Sequence, residues 1–306
     1  MHTISLFKMF TPKKSKDRIV SFLVKEENTL FDFAFKKMGS LSKTALKNYL
    51  AKGQISVNNK AITQYDYQLK VGDTVKIDFT KGTAGLKCAK ISVIYEDDYI
   101  IVINKAEGLL SVATDKNEKD TAFRIIMNHL KKQNKNNRLY IVHRLDRETS
   151  GLLLFAKQKE TQMILQENWQ RIVSEKKYYA LVEGILEQKE GTVHTWLNED
   201  VKSKKVYSSD FDNGGQESFT DYKVEKEYKK GYSLLSINLR TGRKNQIRVH
   251  MQCIGHPIAG DKKYGGSPSP IGRIGLHAEK LTLRHPITGQ VMTFVAPLPE
   301  KIAKFR

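Results

Sequence analysis

The sequence predicts an α+β protein, with a mixed and largely antiparallel central sheet preceded by a small α+β domain. From residue 177 onward, strand patterns outnumber helical ones and are rarely separated by helical segments. This arrangement is typical of antiparallel or mixed sheets rather than doubly wound α/β folds. Before residue 80, two short helical segments precede closely spaced strand and turn patterns. The 306 residues suffice for one large core and one small domain.

The small domain is predicted at residues 18–80, after a basic tail at 1–17. Leu30–Met38 is apolar with helical character, and the segment KTALKNYLAK follows as a second helix. The face that this second helix presents to the core is expected to contain Leu46, Tyr49 and Leu50.

Turn residues delimit these elements. Ser40 or Ser42 would cap the second helix, and Gly53 would end it. ISVNNKAI predicts two strands around an Asn-Asn turn, and LKVGDTVKIDF predicts a Gly-Asp turn leading into an alternating strand. The segment at 81–88 has no periodicity and is predicted to be the linker to a second domain at 89–306.

The second domain is predicted to begin with a hairpin, ISVIYEDDYIIVINK, turning at Glu96–Asp98. Residues 131–138 form a polar, basic loop, and KQKETQMILQENWQ is helical, with Met163, Ile164 and Trp169 available for packing. The later strands are expected in YYALVEGIL, GTVHTWL, SFTDYKVEKEY, YSLLSINLR, KLTLRH and VMTFVAPL.

Charge dominates the composition. The 52 Lys and Arg outnumber the 33 Asp and Glu and give a net charge of +19, which indicates a polyanionic partner; a general basic bias of the source proteome is the alternative. No apolar segment approaches the ~20 residues of a membrane helix. Two cysteines without CxxC spacing predict neither disulfides nor a zinc site. These features favour a reducing cytoplasm, and we expect no metal.

HRLDRETSGLLLFAK places Asp146 between Arg144 and Arg147, in a loop that leads into an apolar strand at Leu152–Ala156. Burial would drive an isolated carboxyl group toward its neutral form, whereas a nearby cation would keep it ionised. Neighbouring arginines on an extended loop point apart, so the partner is expected elsewhere in the chain. The alternative is a salt-bridged turn without chemistry.

The best candidate partner lies in LRTGRKNQIRVHMQCIGHPIAGDKKYG. The alternation in QIRVH predicts a strand that directs Gln246, Arg248 and His250 to one face. An arginine on a rigid strand could form an oriented, bidentate ion pair with Asp146. From the residues alone, a purely structural pair is the more probable interpretation.

Two resemblances sharpen these predictions. GSLSKTALKNYLAKGQISVNNKAITQYDYQLKVGDTVKI resembles the S4 RNA-binding domain, which implies phosphate contacts by Lys43 and Lys47, with Lys52 nearby. HRLDRETSGLLLFAK, KKYYALVEG, TGRKNQIRVHMQCIGHPIAGDKKYG and LHAEKLTLRHPITG, in this order, resemble an RluA-type pseudouridine synthase over roughly residues 90 to 300. That resemblance implies isomerisation of selected uridines in RNA without metal or cofactor, on a mixed β-sheet.

The same resemblance implies roles for individual residues. Asp146 matches the essential aspartate, which acts as nucleophile or proton acceptor, and Arg248 matches the arginine that pairs with it. Tyr178 matches the active-site tyrosine, with Tyr179 as the alternative if the alignment is shifted by one residue. The remaining substrate contacts implied are Arg144, which fills the gap left by the flipped nucleotide, Ile247, an apolar contact to the base, and Gln246.

The chain departs from the family pattern at two positions. Asn245 stands where the family commonly has histidine, and Lys105-Ala106-Glu107-Gly108 replaces the common KPxG. Asn245 can still donate and accept hydrogen bonds, so we expect altered surroundings of the site rather than lost activity. Ala106 puts the placement of its loop in doubt more than the chemistry.

The expected partner is RNA, with a stem-loop of ribosomal RNA first and transfer RNA second. We expect a cytoplasmic monomer without membrane contact. A non-catalytic RNA-binding or ribosome-assembly protein is the rival from another class. A glycosidase using Asp146 and Glu148 as paired carboxylates is a second rival, but no sugar-binding aromatic cluster accompanies them.

Overall fold

The computed structural model of the chain describes residues 19–38, 43–51, 53–78, 88–113, 118 and 120–306. It divides into two compact units, one within residues 1–84 and one within residues 85–306. The predicted tail at 1–17, the two candidate capping serines and Lys52 lie outside the described residues, as does nearly all of the predicted linker. No helix in the described ranges is long and apolar enough to cross a membrane.

The first unit combines two helices with short antiparallel strands. Its elements are β1 (Ile19–Leu23), β2 (Asn28–Thr29), α1 (Leu30–Lys37), α2 (Lys43–Ala51), β3 (Ile55–Val57), β4 (Lys60–Ala61), β5 (Gln68–Leu69) and β6 (Thr74–Asp78). The strands form a four-stranded sheet in the order β1-β6-β3-β4 and a separate β2–β5 pair. Both predicted helices and the predicted hairpin are therefore confirmed.

Apolar residues of α1 and α2 pack on this sheet. Leu46 and Leu50 are buried and Tyr49 packs beside them, as the helical pattern predicts. Asn58 and Asn59, between β3 and β4, both have positive φ angles, of 50° and 68°. Positive φ at both central positions is the requirement of a type I′ hairpin turn, and asparagine tolerates it better than most residues.

The second unit contains the remaining elements. They are β7 (Ile91–Glu96), β8 (Ile100–Lys105), α3 (Ala122–Gln133), β9 (Tyr140–Ile141), β10 (Ser150–Ala156), α4 (Lys159–Glu167), α5 (Trp169–Ile172), β11 (Val173–Glu183), β12 (Glu190–Glu199), β13 (Val206–Ser209), β14 (Gln216–Tyr228), β15 (Tyr232–Leu239), α6 (Gln246–Cys253), β16 (Leu276–Arg284), β17 (Val291–Val295) and α7 (Glu300–Ala303).

One sheet of 11 strands organises this unit. Its main order is β13-β12-β14-β15-β11-β16-β10-β8-β7, with β17 paired to β16 and β9 paired to β10. Every pair is antiparallel except β10–β16, which is parallel over two residues. The predicted fold class, α+β with a mixed and largely antiparallel central sheet, is confirmed.

Helices α3 and α6 cover the same face of the sheet. Ile126 and Leu130 of α3 pack on β7, β8 and β10, whereas Ile247 and Met251 of α6 pack on β11 and β15. Tyr178 of β11 contacts both clusters, so it lies where the two covered areas meet. A cleft lined by Tyr178 opens at this boundary.

Some predicted details are wrong. Met163 is 48% exposed rather than packed, because the buried side of α4 is formed by Thr161 and Leu165. The first three residues of the predicted loop at 131–138 belong to α3, a helix that the sequence analysis does not identify. Its N-cap is Thr121, whose hydroxyl accepts the N–H of Arg124.

Candidate active site

Asp146 lies in the loop between β9 and β10, which buried side chains hold in place. The hydroxyl of Ser111 donates to the carbonyl of Leu145 at 2.7 Å and accepts the N–H of the same residue at 3.0 Å. Nε2 of His143 accepts the N–H of Leu154 at 3.0 Å. Burial lowers the pKa of His143 to about 4, which keeps the ring neutral and able to accept this bond.

Lys105 also holds this loop in place through hydrogen bonds to backbone carbonyl oxygens. Its ammonium group is buried and donates to the carbonyl oxygens of Leu109 and Arg147 at 2.7 and 3.3 Å. Burial lowers the pKa of Lys105 to about 8, against the opposing effect of the carboxylates of Asp146 and Glu148. The lysine thereby joins the loop after β8 to the loop that carries Asp146.

Gly151 marks the point where the Asp146 loop enters the sheet. Its φ is +116°, and it pairs with Ala278 in the short parallel contact between β10 and β16. A Cβ atom here would lie 2.1 Å from the carbonyl oxygen of Ala278, so only glycine fits. This requirement explains the glycine that follows Thr149 and Ser150.

An amide is the nearest partner of the Asp146 carboxylate. Nδ2 of Asn245 donates to Oδ2 of Asp146 at 2.7 Å. The other end of the amide is fixed by Tyr264, whose hydroxyl donates to Oδ1 of Asn245 at 3.0 Å and accepts the N–H of Val206 at 3.1 Å. Asn245 and Tyr264 are both buried, so this chain of bonds orients the amide N–H toward the carboxylate.

Arg248 stands beside Asp146 but binds another acid more closely. Its Nε and Nη2 donate to Asp261 at 2.7 and 2.8 Å, whereas Nη1 lies 3.5 Å from both Asp146 and Glu148. Burial alone would lower the pKa of Arg248, but the bonds to Asp261 and the nearby carboxylates raise it. Arg248 is therefore a permanent cation, anchored by Asp261 and presented to Asp146.

Tyr178 faces the cleft, whereas Tyr179 points to the other side of the sheet. Tyr178 lines the cleft together with Asp146, and burial and the charge of that acid raise the pKa of its phenol. The phenol is accordingly protonated at neutral pH. The hydroxyl of Tyr179 instead accepts a hydrogen bond from Lys177 at 3.2 Å.

The cleft has two adjoining lobes of about 470 and 380 Å³. The lining residues common to both are Arg144, Leu145, Asp146, Lys244, Asn245 and Arg248. The side chain of Arg144 is exposed at this lining. Asp146 is the one carboxylate in this shared lining, and over both lobes the cations outnumber the carboxylates Asp146, Glu148, Asp261 and Glu199. A cavity of this size and charge is suited to a polar ligand that carries negative charge.

The predicted strand at QIRVH is wrong, because these residues form helix α6. Asn245 has a φ of 54° and precedes the helix as its N-cap residue. On a helix, Gln246 and His250 share one face and Arg248 lies on another. Gln246 and His250 accordingly bond to the strands beneath, Gln246 to Thr220 at 2.9 Å, while Arg248 faces the cleft.

The other predicted contact residues occupy different positions. Ile247 is 4% exposed and lines one lobe of the cleft. Gln246 is buried, and its carbonyl oxygen accepts bonds from Thr241 and Arg243. Lys43 and Lys47 are exposed on α2 in the first unit.

Sequence reasoning did not identify three contributors to this site. They are Asp261 and Tyr264, which bind Arg248 and Asn245 at 13 and 19 residues' separation, and Lys105, which binds the carbonyl of Arg147 at 42 residues' separation. One signal was present, since DKKYG follows a glycine at the end of the quoted arginine-rich segment. In the structure the acid and the tyrosine of this segment are buried, and buried polar groups make fixed polar contacts.

The known sequences that this chain resembles are described as RNA pseudouridine synthases. The family model for RNA pseudouridylate synthase matches residues 99–253. The chain is 31% identical to the uncharacterized RNA pseudouridine synthase YhcT of Bacillus subtilis (strain 168), over 84% of this chain and 86% of that protein. It is 32% identical to ribosomal large subunit pseudouridine synthase D of Haemophilus influenzae, over 85% of this chain and 84% of that protein.

A solved structure supports the fold. Human RNA pseudouridylate synthase domain containing 4 is 24% identical to this chain and superposes with a TM-score of 0.57. The superposition covers 69% of this chain and 90% of the human one.

Proposed function

Because the chain belongs to the RNA pseudouridylate synthase family, we propose that it converts specific uridines of ribosomal RNA to pseudouridine, with Asp146 as the reacting carboxylate. The observation that carries this proposal is the position of Asp146 in the cleft, bonded to Asn245 and flanked by Arg248 and Tyr178. The similarity to ribosomal large subunit pseudouridine synthase D supports ribosomal RNA as the substrate, with transfer RNA as the second candidate.

The reaction needs an anionic group beside the sugar. The N1–C1′ bond breaks, the uracil rotates and a C5–C1′ bond forms, after which C5 loses its proton and N1 gains one. Ionised Asp146 would serve either as the nucleophile at C1′ or as an acceptor of a proton. Arg248 and Asn245 both donate toward this carboxylate and fix its orientation in the cleft.

A paired or stacked uridine must leave its helix to reach Asp146, at a cost of a few kcal/mol. Arg144 is exposed at the rim of the cleft, where its planar guanidinium could stack in the vacated position. Inside the cleft, the ring of Tyr178 and the side chain of Ile247 offer apolar contact to the uracil. Together they would retain the detached base until the new bond forms.

We further propose that the first unit is an S4-type RNA-binding domain. Its helix pair over a small sheet suits that assignment, and Lys43 and Lys47 are exposed on α2 for contact with phosphates. The net charge of +19 favours RNA binding by the whole chain. The enzyme would act as a monomer in the cytoplasm.

The deciding experiment replaces Asp146 by Asn and measures tritium release from RNA labelled at C5 of uridine. An amide of the same shape cannot replace the ionised oxygen, so activity should fall at least ~1000-fold, the loss of more than ~4 kcal/mol of transition-state stabilisation. Glu148→Gln is the matched control, because it removes a carboxylate that lies equally far from Arg248, at 3.5 Å. The control should retain activity.

Two results would contradict the proposal. Full tritium release by Asp146→Asn would exclude the carboxylate from the chemistry. If the wild type leaves every ribosomal uridine unmodified and cells lacking it keep all their pseudouridines, the chain is a non-catalytic RNA-binding protein. Loss of transfer RNA modification instead would move the activity to the second candidate substrate.

A further inference from the structure

Lys176 is a buried cation that the chemistry described above does not use. It is 9% exposed and lies two residues before Tyr178 on the same face of β11. Its ammonium group donates to the carbonyl oxygen of Thr241 at 3.3 Å. Within the described part of the chain, no carboxylate forms an ion pair with it. A buried charge without a counterion is costly, which calls for an explanation.

A second cation, Arg243, lies two residues after Thr241, whose carbonyl oxygen accepts the bond from Lys176. Burial, together with the positive charge of Arg243, lowers the pKa of Lys176 to about 8. Arg243 is exposed, lines the cleft and donates through Nε to the backbone carbonyl of Glu217 at 3.3 Å. The neighbouring cations already have carboxylate partners, because Arg240 is paired with Asp221 and Lys244 with Glu199.

The turn that carries Arg243 borders the cleft. Gly242 lines the cleft, and a Cβ atom on it would lie 3.8 Å from Nζ of Lys176. Lys176 does not itself line the cleft, but Gly242 has no side chain that would block an approach to the ammonium group from the cleft. Lys176 and Tyr178 are about 7 Å apart along the strand, which is the scale of one nucleotide.

We propose that Lys176 and Arg243 form a phosphate-binding subsite for the RNA backbone next to the uridine held against Tyr178. This inference rests on the proposed function, and it adds the two residues beside which the RNA backbone would lie. A phosphate between the two cations would supply the negative charge that the protein itself does not provide there.

Two pairs of variants test the subsite. Lys176→Met keeps most of the apolar stem and removes the charge, and Lys177→Met is its control, because it removes the same charge from the opposite face of the strand. Arg243→Gln is compared with Arg240→Gln in the same way. Binding of an unmodified large-subunit rRNA transcript is measured against salt concentration, and thermal melting checks that each variant is folded.

Lys176→Met and Arg243→Gln should each bind the transcript at least ~5-fold more weakly at low salt. Each should also reduce the slope of log affinity against log salt by about 0.7, the effect of one lost phosphate contact. The two controls should match the wild type. Inorganic phosphate in the same assay should displace RNA less effectively from Lys176→Met than from the wild type.

Equal slopes in test and control variants would overturn the subsite, whereas failure of the wild type to release tritium would overturn the proposed function instead. If Lys176→Met does not fold, Arg243→Gln still decides, since its side chain is exposed. Displacement by inorganic phosphate with unchanged RNA slopes would mean a site for free anions and would also contradict the proposal.

Discussion

At the scale of single residues, the shortest contact of the Asp146 carboxylate is with Asn245, at 2.7 Å, and not with Arg248, at 3.5 Å. A separation of 3.5 Å is at the limit of hydrogen bonding, so the guanidinium supplies charge while the amide supplies direction. Tyr264 fixes which end of that amide faces the acid. Asn245, which stands where the resembled family commonly has histidine, is thus in direct contact with the carboxylate proposed to react.

Replacing Asn245 by Ala should lower kcat roughly 10- to 100-fold with little change in RNA affinity. A hydrogen bond to a charged group is worth about 1.5–3 kcal/mol, and this one orients the carboxylate rather than the RNA. Tyr264→Phe should show a smaller loss of the same kind, because the amide keeps its place but loses its anchor. Tritium release and RNA binding measured in parallel check this, and an unchanged kcat in Asn245→Ala would refute the orienting role.

The sequence brought Asp146, Tyr178 and Arg248 together as candidates, and the structure places all three at one cleft. The sequence could not show which partner lies closest to Asp146, because distances between residues about 100 positions apart depend on the folded sheet. Asp261, the closest partner of Arg248, is only 13 residues away, but the turn that brings the two side chains together leaves no pattern in the sequence. Its only local signal is an acid between a glycine and two lysines.

At the scale of elements, α6 shows why a short pattern is ambiguous. QIRVH alternates between polar and apolar residues, as a half-buried strand does, but five residues also fit a helix with one buried side. All of its first six residues are buried in the structure, because the helix has the sheet on one side and the cleft residues on the other. Asn245, with positive φ, determines where the helix begins.

Gly151 makes the junction between the Asp146 loop and the sheet sensitive to substitution. Gly151→Ala should destabilise the second unit by ~3 kcal/mol or more, since the new Cβ would lie 2.1 Å from a backbone oxygen. Gly231→Ala is the control, because it has a similar positive φ of 76° with open space around it, and should cost only about 1 kcal/mol. Urea unfolding measures both, and equal losses would contradict the explanation.

At the scale of the whole molecule, the second unit keeps several ionisable rings in its interior. Burial lowers the pKa of His143, His250 and His277 to about 4 each, below the value of roughly 6.5 expected in the unfolded chain. Between these two values the unfolded chain binds more protons than the folded one. The contribution of these histidines to the free energy of unfolding is therefore fully present above about pH 6.5 and is lost as the pH falls toward 4.

The second unit should thus lose several kcal/mol of stability between pH 7 and pH 4.5, at up to ~3 kcal/mol for each buried histidine. Urea unfolding at constant ionic strength measures the change. His250→Gln should reduce the pH dependence by about a third, because one of three such groups is removed. Equal unfolding midpoints at pH 7 and pH 4.5, with equal m-values, would contradict this prediction.

The sequence predicted most strands of the large sheet, but not their order. Strands with period-two patterns are interchangeable in a sequence, and pairing depends on which faces they bury. The parallel contact between β10 and β16 covers only Ser150 and Gly151, too few residues to leave a pattern. That contact nevertheless sets where the loop of Asp146 leaves the sheet.

The long separation between Asp146 and its partners has a consequence for synthesis of the protein. Asn245 and Arg248 follow the acid by 99 and 102 residues. At a translation rate of about 5–20 residues per second, these residues emerge roughly 5 to 20 s after Asp146. During that interval the nascent chain has the acid without the two side chains that donate toward it, so the proposed site cannot assemble before Arg248 has been synthesised.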